Sequence, residues 1–210
     1  FDAVVGNPPY TRQEQMEDLF PGLKDRAHRA IQKDWKLEVS KRSSIYALFF
    51  LHGAAFVKEG GYLGLLTHSS WIDVDYGKYL QEFFLNHFKI VAILEPQVEH
   101  WFPAVDVNTS ITILQRCNKK AERSNNMVKF VQMKAPLSEF LPKYGGEEER
   151  MMAFENMVRQ IENADSLQED DLWRIFPVKQ SDLWNEGLDD EGNFSGSKWG
   201  KYLQRSGTGS

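Results

Sequence analysis

Phe1-Asp2-Ala3-Val4-Val5-Gly6-Asn7-Pro8-Pro9-Tyr10 is the stretch whose reading decides the fold. Residues 1–6 are an apolar run with one acidic residue, and they read as a buried strand. Two successive prolines can neither continue a β-ladder nor begin a helix from within, so the chain must turn abruptly at Asn7. In open α/β sheets, ligand chemistry gathers at the carboxyl ends of strands, which is where this tetrapeptide falls. The side-chain amide of Asn7 and the backbone carbonyl of Pro8 can each accept one N–H bond from a planar amino group. The prolines hold that carbonyl rigid, and Tyr10 offers a face for stacking. The simpler reading of the same residues is a proline-stiffened turn with a helix-capping Asn.

Downstream, strand-like and helix-like stretches alternate, the mark of an α/β sheet. Residues 11–42 are polar and charged around Pro21-Gly22 and predict a long loop with one or two short helices. Residues 45–58 predict a helix that is apolar on nearly every side, with Ser43 or Ser44 as N-cap and Gly60-Gly61 as stop. Residues 62–67 predict a strand, 75–87 a helix, and 89–95 and 108–116 two further strands, with Trp101-Phe102-Pro103 between the last two. After Cys117 a short strand at 128–133 and an acidic helix at 147–164 are expected. The tail from Asp165 shows no clear pattern. The expected organisation is residues 1–117 as half of a catalytic sheet and 118–210 as an α-rich connector.

Composition narrows the class. The 210 residues are 41% hydrophobic, enough for a sizeable core, and none of the apolar runs approaches the ~18 residues a membrane span needs. A single cysteine, Cys117, excludes an internal disulfide framework and cysteine-clustered zinc, and fits a reduced, cytoplasmic setting. The net charge of −5 is uneven: residues 147–191 carry four Lys and Arg against fourteen Asp and Glu, leaving +5 on the rest. Charge therefore neither demonstrates nor forbids a nucleic-acid partner. The histidines are scattered, no metal site is expected, and His68 is readable as a pocket residue or as a cap. Asp73 and Asp75 read as cap and dipole residues at a helix start.

The opening phrase closely resembles motif IV of the amino-methyltransferases that use S-adenosylmethionine (SAM). Tyr46 through Phe56, then Gly60-Gly61-Tyr62-Leu63-Gly64-Leu65-Leu66-Thr67-His68-Ser69-Ser70-Trp71-Ile72, resembles motifs V and VI of DNA adenine-N6 methyltransferases. Trp101-Phe102-Pro103 with Asn108-Thr109-Ser110-Ile111-Thr112-Ile113-Leu114 resembles their motif VIII. The resemblance implies the C-terminal half of a SAM-methyltransferase (Rossmann-like) α/β sheet, acting in restriction–modification or phage defence. It implies catalytic Asn7, Pro8, Pro9 and Tyr10, with Tyr10 and Phe102 stacking on a flipped-out adenine of double-stranded DNA and Trp101 competing with Phe102 for that role. Lys198-Trp199-Gly200-Lys201-Tyr202-Leu203 is similar to the phrase joining such catalytic domains to a target-recognition domain. The departure is the absence of the family's glycine-rich motif I: Gly60-Gly61 reads as a turn, not as Gly-x-Gly-x-x-Gly. The main SAM site is therefore expected outside this chain, which reads as cut from a longer protein and inactive alone. Two alternatives remain: a protein-glutamine N5 methyltransferase, which resembles this family in its Asn-Pro-Pro-Tyr, and a non-catalytic defence subunit.

Overall fold

A computed structural model of the chain describes residues 1–10, 21–37, 39, 43–73, 77–99, 101 and 108–204. Its centre is a seven-stranded mixed sheet: β1 Ala3–Gly6, β2 Tyr62–His68, β3 Phe88–Pro96, β4 Thr109–Arg116, β5 Met127–Met133, β6 Gln168–Glu169 and β7 Trp173–Lys179, in the spatial order β1-β2-β4-β3-β5-β7-β6. β1 runs parallel to β2 and β3 parallel to β5, whereas β4 is inserted antiparallel between β2 and β3. The α/β architecture expected from the sequence is the one found.

The helices are α1 Leu23–Trp35, α2 Ile45–Ala54, α3 Lys78–His87, α4 Lys120–Asn125, α5 Leu137–Phe140, α6 Glu147–Glu162 and α7 Gln180–Glu186. α1 is longer than the polar composition of residues 11–42 suggested. Ala27, Ile31 and Trp35 recur every four residues and pack one stripe against the core while the charges face outward. Gly22 (φ 72°) precedes this helix and Lys36 (φ 57°) ends it, both in the left-handed region. α2 buries Ile45, Ala47, Leu48, Phe50, Leu51 and Ala54, as a helix laid on a sheet must. Ser44 occupies its N-cap position, yet no side-chain capping bond forms there.

Apolar side chains pack on both faces of the sheet. One core holds α2, α3 and the inner residues Leu63, Leu65, Ile93 and Phe130; the other holds Leu94, Val131 and Ile175 beneath Ile161 of α6 and Phe140 of α5. The second face is thinly covered over β1, β2 and β4. There Val5 lies beside Gly64, is 80% exposed, and Leu66, Ile111 and Ile113 are only half-buried. The expectation that β1 is buried is thus corrected. Its residues are apolar, but it has one strand neighbour among the described residues and no layer over its outer face. Residues after Cys117 contain more helix than strand, and they also supply β5, β6 and β7 to the same sheet. Position 117 therefore marks no break in it.

Candidate active site

The parallel pairing of β1 with β2, which sets Gly6 opposite Leu65, brings two carboxyl ends side by side. Antiparallel β4 contributes its amino end there, with Thr109 opposite His68 and Ser110 opposite Thr67. Turn 7–10, the 3-10 turn Ser69–Ile72, the carboxyl end of β3 and the amino end of β4 therefore lie at one end of the sheet.

Pro8 is buried while Asn7 and Pro9 are exposed, so the first proline anchors the turn and leaves the amide outside. Neither the Asn7 side chain nor the Pro8 carbonyl is engaged by a described residue, and Asn7 caps none of the described helices. Of the two acceptors that the sequence singled out, the Asn7 amide is exposed, and the carbonyl of buried Pro8 is engaged by no described residue. Tyr10 is half-buried and its hydroxyl donates to the Leu66 carbonyl (3.2 Å), which fixes the ring against the end of β2. Burial pushes its phenol up to about 12. The ring is therefore a neutral platform.

The wall beside Tyr10 is the Ser69–Ile72 turn. His68 stands at its N-cap, and its Nδ1 accepts the Ser70 N–H (3.0 Å). Of the two readings of His68, the structure shows the cap. The Tyr46 ring stacks parallel to it (6.5 Å, 16°), and the Tyr46 and Ser70 hydroxyls lie 3.2 Å apart. The Ser69 hydroxyl and backbone N–H both donate to the Asn108 carbonyl (3.1 and 2.9 Å), which ties the turn to the start of β4. Tyr46, Ser69 and Ser70 were quoted in the sequence reading without a role. Small polar residues carry no periodic signal, so only their neighbours give them one.

Phe102 lies outside the described residues, as does Asp75. Trp101 is half-buried against the second core, and its indole N–H donates to Glu99 (3.2 Å), whose carboxylate also accepts the Leu137 N–H (2.7 Å). These bonds hold Trp101 towards α5. An apolar groove of about 490 Å³ runs between β1, α1 and α2, lined by Val5, Ala27, Phe49 and Phe56 and reaching Asn7 and Pro8. Gly60 (φ 77°) and Gly61 lie at the amino end of β2, and a side chain on Gly61 would collide with the carbonyls of Phe1 and Asp2. They stand at the opposite end of the sheet from Asn7 and form the turn that the sequence predicts. Among the described residues no group of three His, Cys, Asp or Glu is placed to hold a metal ion, and none of the helices is long and apolar enough to cross a membrane.

The fold is similar to that of several solved structures. The type IIG restriction endonuclease BpuSI superposes with a TM-score of 0.61 at 14% identity, covering 88% of this chain and 20% of that one. The type I methyltransferase subunit from Streptococcus thermophilus gives 0.52 at 15% identity, covering 93% and 37%. In sequence, residues 1–102 match the family described as Eco57I restriction-modification methylase. The type II restriction enzyme and methyltransferase RM.Eco57I of Escherichia coli is 39% identical over 83 residues, which are 40% of this chain and 8% of that protein. Over part of its length the chain is thus similar to restriction–modification methyltransferases, and it spans a small part of such a relative's length.

Proposed function

We propose that the chain is the target-base half of a SAM-dependent DNA methyltransferase that modifies adenine N6 at a specific sequence in double-stranded DNA. The observation that carries this reading is the pair of free acceptors at turn 7–8, set at the carboxyl end of β1 beside the half-buried Tyr10. The match of residues 1–102 to a restriction–modification methylase family supports it. An exocyclic amino group is a poor nucleophile because its lone pair is delocalised into the ring. Two N–H bonds, to the Asn7 amide oxygen and the Pro8 carbonyl, would pull the group out of conjugation and aim the lone pair. Preorganised acceptors of this kind reorganise little during the reaction. Tyr10 would stack on one face of the extruded base and Phe102 would line the other, offsetting part of the few kcal/mol that extrusion costs.

SAM supplies the methyl group, and its binding site is assigned to residues outside this chain. Residues 1–117 would then be the C-terminal half of the catalytic domain, and 118–210 its extension towards a target-recognition domain. On this reading the 210-residue chain is inactive alone, and calorimetry showing micromolar SAM binding by it would contradict the assignment. The direct test expresses the full-length gene in a host free of adenine methylation and measures N6-methyladenine in its DNA by mass spectrometry. Signal in the wild type that vanishes in Asn7→Ala supports the reading. DNA without the base in both overturns it, and a methylated glutamine peptide would move the substrate to protein.

A further inference from the structure

Residues 197–203 form a strap that lies across the sheet, and other elements grip its backbone. Gln81 of α3 does so twice: its Nε2 donates to the Ser197 carbonyl (2.9 Å) and its Oε1 accepts the Ser197 N–H (3.0 Å). Asp73 accepts the Gly200 N–H (2.8 Å). The Tyr202 carbonyl accepts from Arg174 (2.7 Å), and the Leu203 carbonyl from the buried Gln132 (2.6 Å). Side chains that read backbone groups fix where a segment lies, because each bond specifies a position rather than a residue type.

Trp199 and Leu203 are both driven inward from the strap and are 0% exposed, and Trp199 is the larger. It meets Trp71 edge-on at 5.9 Å and Phe130 at 6.1 Å. Gly200 follows it, and a Cβ there would fall 2.3 Å from the Asp73 carboxylate. Only glycine brings the strap this close to Asp73.

These contacts converge on the site wall. Trp71 belongs to the Ser69–Ile72 turn, Asp73 caps its end, and the same Gln81 amide that holds Ser197 donates to the Ile72 carbonyl (3.3 Å). The other side of that turn meets Tyr46, His68 and Asn108, and the strand leading into it holds the Tyr10 hydroxyl. We propose that residues 197–203 are a positioning latch, which by holding Asp73 through the Gly200 N–H, packing Trp199 on Trp71 and sharing Gln81 with Ile72 sets where the 68–73 turn stands at the end of the strand that anchors Tyr10. The latch touches neither Asn7 nor the base, so it acts through the turn. Its kinetic consequence rests on the methyltransferase reading above; its structural one does not.

The test uses the full-length protein with Asp73→Ala, Asp73→Asn, Gly200→Ala and the double Asp73→Ala/Gly200→Ala. Two readouts are taken: hydrogen exchange of amides 69–73, and methyl transfer from radiolabelled SAM to unmethylated genomic DNA. Asp73→Ala and Gly200→Ala should each speed exchange in the turn and lower kcat by about 10- to 100-fold, as a shift of about 1 Å can do. The Kd for SAM should not change. Asp73→Asn keeps an acceptor for the Gly200 N–H and should restore both readouts. Both single changes break one contact, so the double variant should be no worse than the worse single. Unchanged exchange in both single variants overturns the latch. Faster exchange at unchanged kcat overturns its role in positioning, as does Asp73→Asn behaving like Asp73→Ala. If the wild type transfers no methyl group to DNA, the functional reading fails, and exchange in the turn still decides whether the strap holds it.

Discussion

β1 and β3 are both apolar strands that run into proline, at Asn7-Pro8-Pro9 and at Pro96, yet the sheet treats them differently. β3 lies between β4 and β5, with Ile90 and Ile93 fully buried on one face and Ala92 and Leu94 on the other. Among the described residues β1 pairs with β2 alone, and Val5 is 80% exposed. The strand that carries the chemical signal is the less supported of the two. Stability resides in the middle of the sheet. The proposed chemistry sits at the edge of the described sheet.

The largest effect that could break this contrast is on activity. Asn7→Ala in the full-length enzyme should cut methylation by about 10²- to 10³-fold, the usual cost of losing one preorganised polar contact. Its thermal midpoint should stay near that of the wild type, because the amide bonds no described residue. Turnover close to normal would remove Asn7 from the mechanism.

Next comes stability, read by urea unfolding of the 210-residue chain. Ile93→Ala should cost about 2–5 kcal/mol through lost transfer energy and the cavity left behind. Val5→Ala should stay within about 0.5 kcal/mol, as exposed substitutions do. Equal costs would mean that β1 is covered in solution. A cost for Val5→Ala that grows in the full-length protein would show which residues cover it.

The two strands also differ in their adjoining titratable groups. His87, just before β3, packs against Trp35 and Phe83, and burial, then Arg116 and Arg123, lower its pKa to about 4. The unfolded chain takes up this proton near its ordinary 6.5, well before the folded one does. Stability is therefore complete above that pH and declines as pH falls towards 4. His87→Gln should flatten the decline, and an identical profile in the variant would reject this account. A modest change is expected beside β1. Tyr10→Phe removes the bond to the Leu66 carbonyl and should cost about 0.5–1.5 kcal/mol at most. The raised phenol pKa keeps Tyr10 protonated, so the methylation rate should show no Tyr10 inflection between pH 7 and 10. An inflection there that Tyr10→Phe abolishes would give the hydroxyl a chemical role.

Legibility followed how local each signal is. β1 through β4, α2 and α3 were readable, to within a few residues at their ends, because apolar period and turn residues lie within each segment. α1 was obscured because its charged residues outweighed the spacing of Ala27, Ile31 and Trp35. β7 was missed because Arg174 and Pro177 argue against a sheet interior. Pro177 is tolerated where β7 has passed the end of two-residue β6 and has a neighbour on one side only, and Arg174 is bonded to Tyr202 and Glu169. The turn at 7–10 was legible, but the bond that fixes Tyr10 was not, since Leu66 is far along the chain.

The residues alone determined that an apolar run ends at Asn7, that two prolines force the turn, and that helices alternate with strands. Those outcomes depend on side-chain period and on the rigid φ of proline, which act within a few residues. Only the tertiary structure decided that β1 lies at an edge, that His68 caps the turn it precedes, and that Gly200 rests on Asp73 across 127 positions. Contacts of that range form only when separate elements pack, and their geometry is set by the whole sheet rather than by either partner.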